Sequence, residues 1–235
     1  MVKTNIDRFK IFEGVFDEFT LNTLEFLKRK QYFDELGKPI KTGKEGNVYY
    51  AFKNKEKIAI KIYRLSNSNF KKINSYISLD YRFKNIKGNK RKIILIWVQK
   101  EYRNLSICHQ AGMNVPYVYK QANNIILMEY IDGFMLKDVN LKNPKKYFEL
   151  LIKQIYILKN KAKLIHADLS EFNIMSCEEI PYIIDFGQAM SIKNDSELKL
   201  LYDYYYRDIS NITNYFNKKY KLNLNIEKIL TYLDN

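Results

Sequence analysis

Three oxygen-bearing side chains, Asp168, Asn173 and Asp185, lie in two short stretches, each of which follows or contains a run of apolar residues. The stretches read HADLSEFN (166–173) and YIIDFG (182–187). This pattern predicts a loop between short strands, with the second strand delivering Asp185. Carboxylate and amide oxygens are the ligands that Mg²⁺ prefers, and Mg²⁺ usually takes only one or two of them from a protein. The residue types therefore indicate a candidate magnesium site.

The spacing of these residues matches two elements of protein kinases. In a kinase loop of this spacing, the Asp at position 168 orients or deprotonates a hydroxyl group, and Asn173 holds Mg²⁺. The sequence DFG (185–187) matches the element whose carboxylate links Mg²⁺ to the phosphates. Each match alone is typical of an ordinary loop or turn, so the prediction depends on their order and on partners elsewhere in the chain.

A lysine inside an apolar strand supplies the first such partner. The stretch IAIKIY (58–63) places Lys61 among aliphatic residues, where a lysine is costly unless it is paired or functional. We assign Glu101 as its partner, on a helix that carries Trp97, Glu101 and Leu105 on one face. In this arrangement Glu101 holds Lys61, which grips the α- and β-phosphates of a nucleotide. The alternative is a surface ion pair of under about 1 kcal/mol.

A glycine-containing turn precedes that strand and reads TGKEGNVYYA (42–51). Glycine lets backbone amides approach a phosphate closely, so Gly43, Lys44 and Val48 are candidate nucleotide contacts. A Walker motif is excluded, because Glu45 stands where the Mg²⁺-binding Ser or Thr must be. The turn alone does not predict a nucleotide site. The prediction depends on the strand with Lys61 that follows it.

The stretch IILMEYIDG (125–133) predicts a buried strand that runs into a glycine turn. At this position a kinase has the hinge between its lobes, and the backbone of Glu129 and Ile131 would bond adenine. Two helices are predicted around these elements. One spans 16–33 with Asp17 or Thr20 as its cap and ends at 36–39; the other runs from Asn143-Pro144 to about Lys159 and packs beneath the catalytic loop.

The segment 65–92 predicts a long loop. It contains several serines and ends in the basic run KNIKGNKRK (84–92). Connections between elements usually take two to six residues, and longer ones are often functional or mobile. The basic run is typical either of a solvated surface or of a contact with nucleic acid or ribosome.

The region after 187 predicts a helical end to the domain. It is 48 residues long, counted as 235 minus 187. It offers no Ala-Pro-Glu sequence and no room for the usual peptide-binding subdomain. Ala167 also replaces the Arg that pairs with an activation-loop phosphate. The apolar positions expected to anchor these helices are Leu198, Leu201, Tyr202, Tyr205, Ile209, Ile212, Tyr215 and Phe216.

Composition favours a folded protein with anionic partners. The chain has 235 residues, 46% of them hydrophobic, with 20 Tyr and 14 Phe, which argues against disorder. Lys and Arg number 40 against 26 Asp and Glu, a net charge of +14. Such an excess favours nucleic acid or a ribonucleoprotein, although a lineage bias towards Lys gives the same composition.

The sequence shows no pattern typical of export, of a membrane span or of disulfide bonds. The two cysteines, Cys108 and Cys177, have neither metal-ligand spacing nor a disulfide pattern, which favours a reducing interior. The N-terminal residues carry no apolar signal region, and no stretch approaches the eighteen apolar residues of a membrane span. We therefore expect a cytoplasmic protein with no membrane partner.

The chain resembles the RIO family of atypical serine/threonine kinases, in particular its type-one subfamily. The resemblance covers nearly everything from Phe16 to about Lys219. A type-two member would carry a winged-helix domain in front, and only 42 residues precede Gly43. The short ends resemble an archaeal-like minimal form. The motifs that carry the resemblance are TGKEGNVY (42–49), IKIYR (60–64), WVQKE (97–101), HADLSEFN (166–173), IDFGQA (184–189) and RDISNI (207–212).

The resemblance implies an α+β, two-lobed protein-kinase-like fold. A single RIO-type kinase domain would span 1–235, with a small β-rich N-lobe over 1–130 that includes an extra N-terminal helix and a flexible loop at 65–92. A reduced, mainly helical C-lobe without the peptide-binding subdomain would span 131–235. The family's flexible loop makes four serines candidate phosphorylation sites without preference, namely Ser66, Ser68, Ser75 and Ser78.

The resemblance also implies the roles of individual residues. The cofactors would be ATP and Mg²⁺, with Mn²⁺ as an alternative metal. Asp168 would be the catalytic base, Asn173 and Asp185 would bind the metal, and Asp185 would accept the phosphoryl group as an aspartyl-phosphate. The protein would autophosphorylate, hydrolyse ATP and act in late maturation of the small ribosomal subunit. Its partners would be the pre-small subunit, its rRNA and ribosome assembly factors.

Two other functions remain open at this level. The small kinase of the tRNA threonylcarbamoyladenosine complex is also a minimal kinase, but it reads Gly-Asp-Leu-Thr where this chain reads ADLS (167–170). A non-catalytic, ribosome-binding pseudokinase would keep the fold without the chemistry. The intact Lys61, Asp168, Asn173 and Asp185 argue against it.

Overall fold

The computed structural model describes residues 16–65, 70–83 and 89–234. The predictions for Ser66 and Ser68, and for the basic residues at 84–88, lie outside the described residues. The described chain forms an antiparallel sheet with its helices, followed by a mainly helical part. This is the α+β architecture that was predicted.

The N-terminal part is built on helix α1 and a five-stranded antiparallel sheet of order β1-β2-β3-β5-β4. Helix α1 begins after Asp17, whose Oδ1 accepts from the Thr20 amide at 2.8 Å, so one of the two predicted caps is confirmed. Residues 36–39 lie in β1, so the prediction that they end the helix was wrong. The elements are α1 (Glu18–Arg29), β1 (Glu35–Thr42), β2 (Gly46–Lys53), β3 (Glu56–Tyr63), β4 (Val118–Ala122) and β5 (Ile125–Glu129).

Strand β3 is central and is covered on both faces. Ile58, Ile60 and Ile62 point towards α1, where they pack with Leu24 and Leu27. The opposite face is covered by α3 (Lys90–Gln110), which buries Trp97, Val98, Glu101 and Leu105 among others. This two-sided burial explains the nearly continuous apolar sequence around Lys61.

The segment 65–92 is not a simple loop, and for its described part that prediction was wrong. It contains α2 (Phe70–Leu79) and a 3₁₀ turn (Tyr81–Phe83). Ile73, Tyr76 and Ile77 recur at three and four residues and are buried against the core. This is the helical period, which the intervening serines and asparagines obscured in the sequence.

The C-terminal part places its functional loops between short strands, as predicted. Helix α4 (Pro144–Asn160) is capped by Asn143, whose side chain accepts from the Lys146 amide at 3.0 Å, and has Pro at its first turn. Helix α5 (Asp195–Tyr220) buries most of the predicted anchors, but Tyr202 is exposed. The remaining elements are β6 (Phe134–Met135), a 3₁₀ turn (Leu136–Asp138), β7 (Leu164–Ile165), β8 (Ile174–Cys177), β9 (Ile180–Ile183), β10 (Met190–Ser191) and α6 (Ile226–Asp234).

Within the described residues, none of the helices combines the length and the apolar character needed to cross a membrane.

Candidate active site

Lys61, Glu101 and Asp185 meet in one ion cluster. The Lys61 Nζ lies 2.8 and 3.0 Å from the two Glu101 oxygens and 3.0 Å from Asp185 Oδ1. Glu101 is 1% exposed, so the pair is a buried one and not the surface ion pair that was the alternative. Burial lowers the pKa of Lys61, but the carboxylates of Asp185 and Glu101 outweigh burial and raise it above its ordinary value. Lys61 is therefore a permanent cation at neutral pH.

Asp185 is the member of the cluster that faces the surface. Its side chain is 43% exposed. Burial of the carboxyl raises its pKa, and the adjacent Lys61 ammonium reverses this and holds the pKa below its ordinary value. A group of this kind is a carboxylate at neutral pH, the form that can bind a metal ion.

Asp168 and Asn173 belong to one tight loop. The Asn173 Nδ2 donates to the Asp168 carbonyl at 2.8 Å, which turns the Asn173 Oδ1 away from that carbonyl. The Gln188 Nε2 donates to Asp168 Oδ2 at 2.9 Å. The Ile184 amide donates to the Asn173 carbonyl at 3.0 Å, so the chain leading into Asp185 runs beside this loop. The two predicted metal ligands therefore lie on adjacent backbones.

This donor set fits Mg²⁺. Asp185 offers an ionised, partly exposed carboxylate, and Asn173 offers an amide oxygen whose orientation is fixed by the hydrogen bond of its Nδ2. Hard cations of this size take oxygen ligands and complete their shell with water and substrate phosphates. When bound, Mg²⁺ would neutralise phosphate charge. Asp185 and Asn173 would hold the ion in place.

The loop that carries Asp168 is held in place by Asp208 of helix α5. Its Oδ2 accepts from the Ala167 amide at 2.7 Å and its Oδ1 from the Leu169 amide at 2.8 Å. Ala167 has a φ of 63°, a left-handed conformation that is strained for a residue with a Cβ. Burial raises the pKa of Asp208 to about 7, against the two amide donors that favour its ionised form. Arg207 also donates to the Ala167 carbonyl.

Replacing Asp208 with Asn is expected to disturb the loop on both sides of Asp168. An amide oxygen can accept from one of the two backbone amides, and its NH₂ group cannot accept from the other. One buried donor then loses its partner, which costs about 1–3 kcal/mol. We expect a lower free energy of unfolding by denaturant titration and a lower kcat. Asp203→Asn, on an exposed position of the same helix, is the control, and equal stability of the two variants would contradict this role for Asp208.

His166 is buried beside the same loop. Its Nε2 lies 3.1 Å from the Ile184 carbonyl, and because a carbonyl only accepts, Nε2 carries the proton. The ring packs edge-on against Phe186 with centroids 4.8 Å apart. Burial lowers the pKa of His166 to about 4, although the Ile184 carbonyl opposes this. His166 is therefore neutral at physiological pH.

This shift predicts a loss of stability in acid. Because the folded pKa is about 4 and the ordinary value is 6.5, the unfolded chain binds more protons between those values. The free energy of unfolding should fall as pH drops from 6.5 to 4, by on the order of 3 kcal/mol from this group. Denaturant titrations across this range should show a weaker pH dependence for His166→Gln. His109→Gln, on the exposed second histidine, should keep the wild-type dependence, and equal slopes in both variants would refute the assignment.

The glycine turn lies at the open end of the sheet. The Gly43 amide donates to the Gly46 carbonyl at 3.0 Å, and Lys44 between them is exposed. A Cβ on Gly46 would lie 2.4 Å from the Ile62 carbonyl, so glycine is required there by the close approach of β3. Val48 pairs with Lys61 across β2 and β3 and lies on the same face of the sheet.

The predicted hinge follows β5. The Glu129 amide donates to the Tyr117 carbonyl at 2.7 Å, and the Tyr117 amide donates to the Glu129 carboxylate at 3.1 Å. The Gly133 amide donates to the Ile131 carbonyl at 3.0 Å. These bonds involve neither the main-chain carbonyl of Glu129 nor the amide of Ile131; the backbone of these two residues was predicted to bond adenine.

A model of the RIO domain matches residues 47–229, which is most of the chain. The chain belongs to the RIO domain family. It is 32% identical over 219 residues to the RIO-type serine/threonine-protein kinase Rio1 of Haloferax volcanii, covering 91% of this chain and 74% of that protein. It is 36% identical to the serine/threonine-protein kinase rio1 of Dictyostelium discoideum, covering 94% of this chain but only 40% of that protein.

The fold of this RIO domain agrees with solved kinases. The Rio2 kinase of Chaetomium thermophilum, in a complex described as ADP/Mg²⁺-phosphoaspartate, superimposes with a TM-score of 0.67 at 22% identity. The match covers 89% of this chain and 64% of that one. This likeness shows that the fold is that of a RIO kinase, and the match to the RIO domain confirms the family resemblance drawn from the sequence.

The structure brings Lys61, Glu101 and Asp185 into direct contact and places Asp168 and Asn173 in one loop beside them. The sequence reasoning assigned no role to Asp208 or Gln188. Both lie inside motifs that carried the family resemblance, so their position in those motifs was the available signal. Gln188 lies 20 residues along the chain from its partner Asp168, and Asp208 lies 41 residues from its partner Ala167.

Proposed function

We propose that this RIO domain binds Mg²⁺-ATP beside the Lys61–Glu101–Asp185 cluster and transfers the γ-phosphoryl group to its own side chains. The observation that carries the proposal is the three-way contact at Lys61, which joins the strand, the helix and the metal-binding loop within 3.0 Å. Lys61 would contact the α- and β-phosphates while Glu101 holds it in place.

The transfer would begin at Asp185. One carboxylate oxygen attacks the γ-phosphorus in line, the bond from phosphorus to the β,γ-bridging oxygen breaks, and ADP leaves with that oxygen. The product on the protein is an aspartyl-phosphate, which the description of the Chaetomium Rio2 complex names for that protein. The lowered pKa of Asp185 supports this role, because only the carboxylate is a nucleophile.

Asp168 would serve the second half of the reaction. Its carboxylate accepts a proton from a water or from a serine hydroxyl as that oxygen attacks the phosphoryl group. With water the products are phosphate and free Asp185; with serine the phosphoryl group moves to the hydroxyl. Ser75 and Ser78 lie on exposed positions of α2 and are candidates for autophosphorylation.

We place adenine at the hinge. The Glu129 carbonyl would accept from its amino group and the Ile131 amide would donate to its ring nitrogen, while Val48 covers the ring and the turn at Gly43 and Lys44 lies over the phosphates. The boundary between the two lobes would then fall at 130/131.

The test is turnover by the purified chain. With Mg²⁺ and γ-labelled ATP, wild type should release phosphate and label itself, and removal of Mg²⁺ with a chelator should stop both. If the chain binds ATP but neither hydrolyses it nor becomes labelled, it is the non-catalytic pseudokinase instead.

For the partner, we propose the pre-small ribosomal subunit, with a cytoplasmic role in its late maturation. Helix α3 begins with Lys90, Arg91 and Lys92, all exposed, although its N-terminus already carries a partial positive charge. Cations there lower helix stability and favour a bound anion such as an RNA phosphate.

Charge reversal of these three residues to Glu is expected to weaken subunit binding and to lower its salt dependence by about three units of log–log slope. Binding should be measured over a range of salt concentrations. The control reverses Lys145, Lys146 and Lys153 on α4. An unchanged slope in the α3 variant would contradict a contact between these residues and RNA phosphates.

A further inference from the structure

The backbone at Asp185 is held in an unfavourable conformation. Asp185 has a φ of 68°, in the left-handed region that residues with a Cβ seldom adopt, although Asp and Asn adopt it more readily than most. Such a conformation persists only where the surrounding structure imposes it. The residues directly after Asp185 are therefore expected to be held by contacts with another element. Side chains of helix α3 make these contacts.

Lys100 makes the first contact. It is 0% exposed, and its Nζ donates to the Gly187 carbonyl at 2.8 Å and to the Ala189 carbonyl at 2.5 Å. Lys100 directly precedes Glu101 on the helix. Glu101 therefore binds Lys61, while its neighbour Lys100 binds the chain that follows Asp185. A buried lysine that binds carbonyl oxygens is costly to desolvate, and the Lys100 pKa is lowered to about 7 by burial.

Asn104 makes the second contact, one helical turn later. It is 0% exposed, and its Nδ2 lies 3.0 Å from both the Phe186 carbonyl and the Ala189 carbonyl. The Arg82 Nη2 donates to the Asn104 Oδ1 at 2.8 Å, which fixes the direction of the amide. Lys100 and Asn104 together contact three carbonyls in the four residues that follow Asp185.

Asp80 and Arg82, which follow helix α2 in the chain, hold these two side chains in place. Asp80 is fully buried and accepts from Arg82 Nε at 2.9 Å and Nη2 at 2.6 Å. Its Oδ2 also lies 3.9 Å from the Lys100 Nζ. Removing one member of a buried ion cluster leaves an uncompensated charge, so the cluster acts as a unit.

We propose that Lys100 and Asn104 form a carbonyl clamp, held by Asp80 and Arg82, that keeps residues 186–189 in place and thereby positions the Asp185 carboxylate for Mg²⁺. These are positioning residues, because they touch the backbone of the loop and not the reacting atoms. The clamp also affects Asp168, since the clamped segment carries Gln188, whose Nε2 lies 2.9 Å from Asp168 Oδ2. The role in metal binding rests on the proposed function.

The first test needs no ligand. Amide hydrogen exchange, measured by mass spectrometry, should be at least about tenfold faster for peptides covering 185–190 in Lys100→Met and Asn104→Ala than in wild type. Lys159→Met is the matched control, because Lys159 is also a buried lysine that donates to a backbone carbonyl, that of Leu233 at 3.0 Å. In the control, exchange at 185–190 should stay at the wild-type rate.

The second test measures metal activation. The Mg²⁺ concentration for half-maximal turnover should rise about tenfold or more in the clamp variants, while Mg²⁺-free ATP affinity stays within about twofold. A merely structural role would lower global stability and raise exchange throughout the chain, with the Mg²⁺ requirement unchanged.

The outcomes separate the two proposals. Unchanged exchange at 185–190 in both clamp variants would overturn the clamp, whatever the turnover. Absence of turnover in wild type would overturn the proposed function, and the exchange experiment would still decide the clamp. If Lys100→Met fails to fold, Asn104→Ala decides, because it removes the hydrogen bonds without leaving a charge unpaired.

Discussion

Asp185→Asn is expected to lower ATP turnover and self-labelling by at least about a thousandfold, the scale seen when a nucleophile or a principal electrostatic group is removed. The amide has no charge to bind Mg²⁺ strongly and is not a nucleophile towards phosphorus. The backbone should be retained, because Asn is among the residues that tolerate the left-handed conformation at this position.

The fold should therefore survive this change. Asp185 is 43% exposed, and Lys61 keeps its contacts with Glu101. We expect the free energy of unfolding to change by less than about 1 kcal/mol. Asp203→Asn, an exposed substitution of the same chemistry, should keep full turnover. If Asp185→Asn retained more than a tenth of wild-type turnover, Asp185 would be neither the nucleophile nor an essential metal ligand.

Lys61→Met is expected to have the largest combined effect on stability and activity. It leaves the Glu101 carboxylate buried without its ammonium partner, and breaking a buried pair in this way costs about 3–5 kcal/mol. Turnover should fall by at least about a hundredfold, because the contact with the nucleotide phosphates is lost.

The double variant Lys61→Met/Glu101→Leu separates these effects. Replacing both members of a buried pair by apolar residues is often neutral, so most of the stability should return while turnover stays lost. Denaturant titration and phosphate release measure the two quantities. Lys137→Met, which removes one member of the exposed Lys137–Asp138 pair, should cost under about 1 kcal/mol. Additive losses in the double variant, or recovery of turnover, would contradict this account of the cluster.

The residues that bind each other through simple chemistry were predictable from the sequence. Lys61 was visible as a cation in an apolar strand, and Glu101 as an acid on the buried face of the following helix. The loop residues Asp168, Asn173 and Asp185 were visible from their spacing, and the family comparison agrees with the kinase fold drawn from them. Local pattern and pairwise charge were sufficient in these cases.

The contacts of the supporting residues were not predictable from local pattern, because they depend on tertiary packing. Lys100 reads as a surface cation on an amphipathic helix, and only the packing of 186–189 against α3 shows that it is buried. Asp208 lies 39 and 41 residues from the amides that it binds. The left-handed backbone at Ala167 leaves no local signal, since alanine seldom adopts it.

The identity of the first phosphoryl acceptor tests the account most directly. The chain should be mixed with Mg²⁺-ATP, quenched rapidly and treated with tritiated borohydride, which reduces an acyl phosphate and leaves phosphoserine intact. We predict tritium in the peptide that contains residue 185, and none when ATP or Mg²⁺ is omitted. Phosphorylation confined to hydroxyl side chains, with no reducible group at residue 185 at any time point, would contradict the account.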